Sequence, residues 1–261
     1  MSDLTDSTLT RNGKSIVLAH DHGLEHGPTA FSAVPDRLDP DSVFEIATHD
    51  AVTAFAVHKG LAKQYYPSYK DSVNLLAKCN GSSSLHSSEP YSPQTWSVDH
   101  AAEIGADAIG YTVYPGTNTE QQMFTDFSQI QEAAEYHDLP VAMWSYPRGQ
   151  PIKEHRNPDT IAYATRIGLE LGADFVKVKY PRSGEAMAQA VDAAGACNVL
   201  LSGGSKSDDL TFLSMVETAI DAGVSGLAVG RNVWQREDPE YILDALEKVV
   251  FAEQSAEAAL S

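Results

Sequence analysis

The stretch "LGADFVKVKYP" (171–181) joins two kinds of pattern. A helical periodicity stops at Gly172, and an apolar run carrying two lysines follows and ends on proline. Glycine just past a helix, then a β-branched run bounded by proline, marks the junction of a helix with a buried strand. The phrase returns as "IGADAIGY" (104–111) and "DAGVSGLAV" (221–229), with Gly105 and Gly223 in the place of Gly172. The recurrence is structural: each copy ends one helix and starts the next strand.

Outward from these junctions, eight β-rich runs alternate with helix-length segments. They are "SIVLAHD" (15–21), "AVTAFAVHK" (51–59), "NLLAKCN" (74–80), "AIGYTVYP" (108–115), "PVAMWSYP" (140–147), "FVKVKYP" (175–181), "NVLLSGG" (198–204) and "SGLAVGR" (225–231). Each is mostly apolar rather than strictly alternating, as suits parallel strands covered by helices. Asn157-Pro158 and Asp238-Pro239 are capping residues followed by an N1 proline, so each opens a helix. In the last helix Ile242, Ala245, Leu246, Val249 and Val250 form a stripe at helical spacing. Eight β-α units in 261 residues predict an α/β chain folded as one (β/α)8 TIM barrel. It carries a polar N-terminal extension (1–13) and a C-terminal tail (252–261). An open doubly wound sheet fits less well, because the first strand lacks a G-x-G-x-x-G turn and no midpoint linker divides two halves.

Composition narrows the function. The chain holds 36 acidic and 18 basic residues, a net charge of −18, which opposes binding to nucleic acid. The acidic residues are dispersed, with few lysines, as a high-salt cytoplasm favours; a halophilic source is expected. No apolar run reaches the roughly 20 residues of a membrane helix, and "MSDLTDSTLT" (1–10) is no signal peptide. Cys79 and Cys197 sit in apolar stretches without ligand spacing, which suits reduced core residues of a cytoplasmic protein.

In such a barrel the active site lies at the C-terminal ends of the strands. In "FVKVKY" (175–180) Lys177 and Lys179 share one face of the sixth strand, and that face must be the barrel interior or its mouth. Desolvation and a cationic neighbour both lower a lysine pKa, giving the neutral amine that forms a Schiff base. The alternative is an ion pair with an interior carboxylate such as Asp21. On the fifth strand Trp144, Tyr146 and Arg148 share a face: a tyrosine to exchange protons with carbon, an arginine to clamp phosphate. "LSGGSK" (201–206) and "AVGRNVW" (228–234) bring Ser202, Gly203, Gly204, Gly230 and Arg231 to the place where barrels commonly hold a phosphate.

The first strand runs into "AHDHGLEHGP" (19–28), with His20, Asp21, His22, Glu25 and His26. A zinc site could be drawn from the three histidines. No second histidine or cysteine cluster stands at another strand end to complete it, His58 and His155 being isolated. A barrel with a buried lysine also has little need of a Lewis acid, so no metal is expected. Asp21 reads better as a carboxylate that orients hydroxyls and assists proton transfer.

These motifs together resemble the archaeal-type class I fructose-1,6-bisphosphate aldolases over nearly the whole chain. "GKSIVLAHDHGLEHGP", "YTVYPG", "WSYPRG", "ELGADFVKVKY", "LSGG" and "AVGRNVWQR" carry the likeness, and the acidic coat suits a haloarchaeal member. The resemblance implies a (β/α)8 barrel without metal or organic cofactor, Lys177 as the Schiff-base lysine and Tyr146 as the proton-transferring tyrosine, with Trp144 beside it. It also implies Asp21 as the aspartate, one phosphate on Ser202, Gly203, Gly204, Gly230 and Arg231, and the other near Arg148 and His26. His22 and Lys179 complete the expected substrate-binding set. Sugar phosphates are the expected partners, in a homo-oligomer of stacked five-membered rings. Two departures stand out: "KVKY" is followed by "PRSGE" where the family has threonine-glycine, and "GGSK" stands for "GGPK". From the residues alone three other readings stay open. They are a sister aldolase making an amino-dideoxy-heptulosonate, a phosphosugar isomerase with a carboxylate base, and a phosphosugar-binding barrel.

Overall fold

The computed structural model describes residues 7–85 and 89–261, so residues 1–6 of the expected N-terminal extension lie outside the described residues. The eight runs become eight strands: β1 (Ser15–Ala19), β2 (Ala54–His58), β3 (Leu75–Lys78), β4 (Ala108–Val113), β5 (Val141–Ser145), β6 (Phe175–Val178), β7 (Asn198–Ser202) and β8 (Gly226–Val229). All pair in parallel, in sequence order, and β8 closes on β1. The strands are shorter than the runs. In the sixth, pairing stops at Val178, and Pro181 has no N–H to continue a ladder.

Helices follow the strands: α1 (His22–Glu25), α2 (Pro40–Ala47), α3 (Lys59–Tyr65), α4 (Val98–Ile104), α5 (Glu120–Tyr136), α6 (Pro158–Glu170), α7 (Gly184–Ala194), α8 (Asp209–Asp221), α9 (Arg231–Trp234), α10 (Pro239–Val250) and α11 (Ala256–Ala259). Asn157 and Asp238 cap α6 and α10 by accepting from the backbone N–H of Thr160 and Tyr241. The expected stripe of α10 is buried along its whole length. Within the C-terminal tail, α11 buries Ala256 and Ala259.

The recurring junction has a mechanical role. In "GAD" the aspartate reaches back to the strand before it: Asp107 Oδ2 accepts from Leu75 N at 2.7 Å, and Asp174 Oδ2 accepts from Val141 N at 2.8 Å. In the third copy Ser225 Oγ donates to Asn198 Oδ1, at the start of β7. Each junction thus fixes where the neighbouring strand begins, which sets the register that aims side chains at the barrel mouth.

Two apolar cores separate by the period-two rule. Residues such as Ile16, Phe55, Met143, Val176 and Leu227 face outward into the helices. Val17, Ala54, Leu76, Ala108, Ala142, Phe175, Leu200 and Ala228 face inward and fill the barrel, with Leu9 among them. Alanine recurs in that inner set, which leaves volume for Trp144 and Phe175. Gly226 marks where the barrel closes. Its φ is +137°, and a Cβ there would stand 2.0 Å from the carbonyl oxygen of Ser15 on β1.

Candidate active site

The next inward positions, one step toward the strand C-termini, are polar: Lys78 on β3, Lys177 on β6, Ser202 on β7, and Tyr146 just past β5. With them the floor of the barrel changes from packed apolar layers to a cavity of about 520 Å³ at the C-terminal mouth. Asp21, His22, His26, Trp144, Tyr146, Arg148, Lys177, Lys179, Ser202, Gly203, Gly204, Gly230 and Arg231 all line it. Every site residue expected from the sequence is therefore in one place.

Lys177 is 5 % exposed, and its Nζ stands 4.8 Å from the centre of the Trp144 ring. The two residues are paired across β5 and β6, so the register delivers the contact. Burial lowers the lysine pKa and Arg231 adds to this, while Asp21 and Glu25 oppose it. Lys179 lies past the strand end, half-buried, with Nζ 5.9 Å from the Tyr146 ring centre. Burial, Arg148 and Arg156 pull its pKa down to about 8. The two lysines share a face as expected, and their surroundings differ: carboxylates beside Lys177, guanidinium groups beside Lys179.

The phenol of Tyr146 lies 3.4 Å from Ser202 Oγ and donates toward it. Burial raises its pKa well above the ordinary phenol value against that hydrogen bond, with Asp21 and Glu25 adding to the rise. The group is held protonated.

The segment from Asp21 to Glu25 is a single helical turn, with Glu25 N 3.4 Å from Asp21 O. It presents two carboxylates to the cavity whose pKa values are pushed in opposite directions. Burial alone would raise Asp21, but His22, Lys177, Lys78 and His58 together hold it well below the usual carboxylate range. For Glu25 burial wins, Asp21 adds to it, and the pKa rises to about 7 against the pull of Lys78 and Lys177. Asp21 Oδ1 also lies 3.4 Å from His22 Nδ1.

The histidines of the opening motif do not converge. The His20 ring sits among Phe31, Phe55 and Trp234. His22 lies tilted against His26 and edge-on to Trp234, at ring-centre distances of 5.4 and 5.2 Å. Among the described residues no group of three His, Cys, Asp or Glu side chains is arranged to hold a metal ion.

The loops after β7 and β8 are pinned together by Asn232. Its Nδ2 donates to Gly203 O at 2.7 Å and to Ser205 O at 2.9 Å, while its Oδ1 accepts from Ser207 N at 3.0 Å. Arg236 backs it by donating from Nε to Asn232 O at 2.7 Å. The loop "GGSK" is thus held by side chains where a proline would have stiffened it from within. Gly203 gives its N–H to Ala228 O at 3.3 Å, so the amides that face an anion are its neighbours'. Gly204 is open, with nothing within 4 Å of where a Cβ would stand. The "PRSGE" loop serves helix capping: Ser183 accepts from Ala186 N and opens α7, and Arg182 pairs with Glu154 at 2.7 Å.

Four residues of the site carry no role in the sequence reading. Lys78, on β3, is fully buried, and its Nζ donates to Asn80 O at 2.7 Å and Asn80 Oδ1 at 3.2 Å, with Glu25 Oε1 at 3.5 Å. Its signal was present, since a lysine inside an apolar strand run two places after Leu76 must face inward. Glu25 stood in the opening motif, but only the fold shows what it meets. Tyr114, past the end of β4, and Arg156, in the loop before α6, also line the cavity.

A parallel barrel that buries a lysine against an aromatic ring, with a tyrosine, a carboxylate pair and two cationic rims, belongs to the class of barrels built for carbonyl chemistry on anionic substrates. The chain matches the family model "DeoC/LacD family aldolase" over residues 15–236. It is 60% identical over 260 residues to the protein named fructose-bisphosphate aldolase class 1 of Halobacterium salinarum, covering 100% of this chain and 99% of that one. It is 43% identical over 255 residues to the protein of the same name from Thermoproteus tenax, covering 96% of each. It also superposes, with a TM-score of 0.90 and 42% identity, on an archaeal fructose-1,6-bisphosphate aldolase structure. That structure has its catalytic lysine covalently bound to the carbinolamine intermediate of the substrate; 94% of this chain and 96% of that chain are covered. The chain belongs to the DeoC/LacD family of aldolases.

Proposed function

We propose that the protein is a class I fructose-1,6-bisphosphate aldolase, reversibly cleaving that sugar to dihydroxyacetone phosphate and glyceraldehyde 3-phosphate, with Lys177 as the Schiff-base nucleophile. The observation that carries the reading is Lys177 itself: a buried amine, lowered in pKa, opening into a cavity with cationic groups at both ends.

One phosphate binds the amides around Gly204 and Gly230 with Ser202 and Arg231. The other meets Arg148 and Lys179, with His26 and Arg156 at the rim. This stretches the sugar from the β7–β8 side to the β5–β6 side and puts C2 over Lys177, so phosphate binding energy is spent on orientation. The neutral amine attacks C2, and loss of water leaves an iminium that draws electrons. The ionised carboxylate of Asp21 accepts the C4 hydroxyl proton, the C3–C4 bond breaks, its electrons form the enamine, and the aldehyde leaves. Tyr146, held protonated, gives its proton to C3, and the proton taken up by Asp21 passes back to restore the phenol. Water then releases the ketose fragment from Lys177. Asp21, held ionised, orients the hydroxyls and stabilises the cationic iminium. Trp144 gives the iminium an electron-rich face. The lysine is the electron sink, so the reaction calls for no metal.

The same reading makes the protein a cytoplasmic homo-oligomer, for which size measurement in high salt is the check. The activity is tested by assaying fructose 1,6-bisphosphate cleavage with and without a chelator. Equal rates in both, abolished by Lys177→Met, support the proposal. Loss of activity in chelator, or full activity in the variant, overturns it.

A further inference from the structure

Resting on the aldolase reading above, we infer that Trp234 is a positioning residue, which joins the loop that takes the C1 phosphate and the turn that carries Asp21 into one rigid unit. The segment "GRNVW" (230–234) supplies Gly230 and Arg231 to the cavity. Trp234 is fully buried behind them, outside the cavity lining. Its contacts show what a buried indole does there.

The turn that presents Asp21 is weakly held by its own bonds. α1 is four residues long, none of them fully buried, and Glu25 N reaches Asp21 O only at 3.4 Å. Trp234 grips the chain on both sides of that carboxylate. Its Nε1 donates at 3.1 Å to the carbonyl oxygen of Ala19, the last residue of β1. Its ring meets His20 and His22, the residues flanking Asp21, edge-on at centre distances of 5.7 and 5.2 Å. Phe31, beyond the turn, packs on the same indole at 5.0 Å. His22 Nδ1 in turn lies 3.4 Å from Asp21 Oδ1.

The backbone of Trp234 is fixed to the phosphate loop. Gly230 O accepts from Val233 N at 2.8 Å and from Trp234 N at 3.1 Å. Gly230 runs so close to the first strand that a Cβ there would stand 2.5 Å from His22 Cε1, 2.7 Å from Ala19 O and 3.1 Å from Trp234 Nε1. The junction thus spans β8 and β1, the two strands that close the barrel. An anion held at Gly230 and Arg231 bears on the same rigid body as the carboxylate that takes the C4 proton. Phosphate binding then helps to hold Asp21 in line with that hydroxyl, although the two lie on different parts of the sugar. Contacts remote from the reacting bond raise kcat when they serve such alignment.

The test uses fructose 6-phosphate, which lacks the C1 phosphate, with phosphite dianion supplied separately to saturation, in high salt. Release of glyceraldehyde 3-phosphate is followed with and without phosphite for the native protein, Trp234→Phe and Phe31→Leu. Trp234→Phe keeps an apolar ring and deletes the N–H bonded to Ala19. Phosphite should speed cleavage by the native protein. In Trp234→Phe the activation factor should fall about 3- to 10-fold, the worth of the lost hydrogen bond, with the rate in the absence of phosphite little changed. Phe31→Leu, which loosens the packing of the indole, should lower the factor by less. With the bisphosphate, Trp234→Phe should lower kcat and leave KM nearly as it is. A native protein that cleaves the bisphosphate but gains nothing from phosphite overturns the inference and leaves the aldolase reading intact. So does an activation factor in Trp234→Phe equal to the native one, even if both rates fall together, since that marks a structural role alone. No cleavage of the bisphosphate by the native protein overturns the aldolase reading and this inference with it. Should Trp234→Phe fail to fold, Phe31→Leu decides, and an unchanged factor there overturns the inference.

Discussion

Lys177 and Lys179 are two residues apart on one face, yet the fold assigns them different neighbours, and reactivity follows from those neighbours. Lys177 has Trp144, Asp21 and Glu25, whereas Lys179 has Arg148 and Arg156. Tyr146 is the complementary group, a phenol that stays protonated and is aimed by Ser202. Tyr146→Phe is expected to lower kcat about 10²- to 10⁴-fold with little change in KM. Steady-state kinetics check this; a variant within a few-fold of native kcat would remove Tyr146 from the chemistry. Much of this site was legible beforehand, because a lysine or tyrosine inside an apolar strand run has only one side to face. Lys78 carries the same signal, but its own run, "NLLAKCN" (74–80), holds no carboxylate to pair with it. Its partners, Glu25 and Asn80, come from the first loop and from two places beyond it, and Glu25 is brought there only by barrel closure. The surroundings of the histidines were not legible either: only the fold shows His20 and His22 packed on Trp234, with His26 beside His22.

At the scale of elements, the catalytic end depends on how loops are tied. Asn232, one residue into α9, holds two carbonyls and one amide of the loop after β7. Its removal leaves those groups unpaired, a cost of about 1–3 kcal/mol, and frees the loop that is to meet phosphate. Asn232→Ala is therefore expected to raise KM for the bisphosphate about tenfold, an effect of about 1.4 kcal/mol, with kcat much less changed. Unchanged KM would show that the loop needs no such tie. The strands and capped helices were readable because periodicity and capping are local. The tie through Asn232 was not, since it joins residues some 25 to 29 positions apart.

The whole molecule bears a linkage between protonation and folding. Burial, the largest cause in each case, lowers His20 and His58 to about 4 and His22 to about 3, from an ordinary 6.5. As pH falls below 6.5 the unfolded chain binds protons that the folded chain refuses until near pH 4, so stability is lost across that window. Each such group contributes a slope of up to about 1.4 kcal/mol per pH unit. Asp21 acts lower on the scale, its stabilisation being lost as pH falls below the ordinary carboxylate range. Denaturation midpoints at fixed salt should fall steadily from pH 6.5 to 4.5, and less steeply in His20→Asn. A flat midpoint over that range would mean that the histidines titrate normally. The closed barrel was readable from the count of β-α units and their repeated junction. Its net charge of −18 is a property of the surface as a whole, and it sets the conditions for any measurement: salt screens that self-repulsion.

The central claim is that one buried amine does the chemistry. It is tested most directly by borohydride reduction in high salt with dihydroxyacetone phosphate, followed by peptide mass mapping. The expected result is a single reduced ketose-phosphate adduct on Lys177, absent from Lys177→Met. An adduct on Lys179 or Lys78, or none at all while fructose 1,6-bisphosphate is still cleaved, would contradict it.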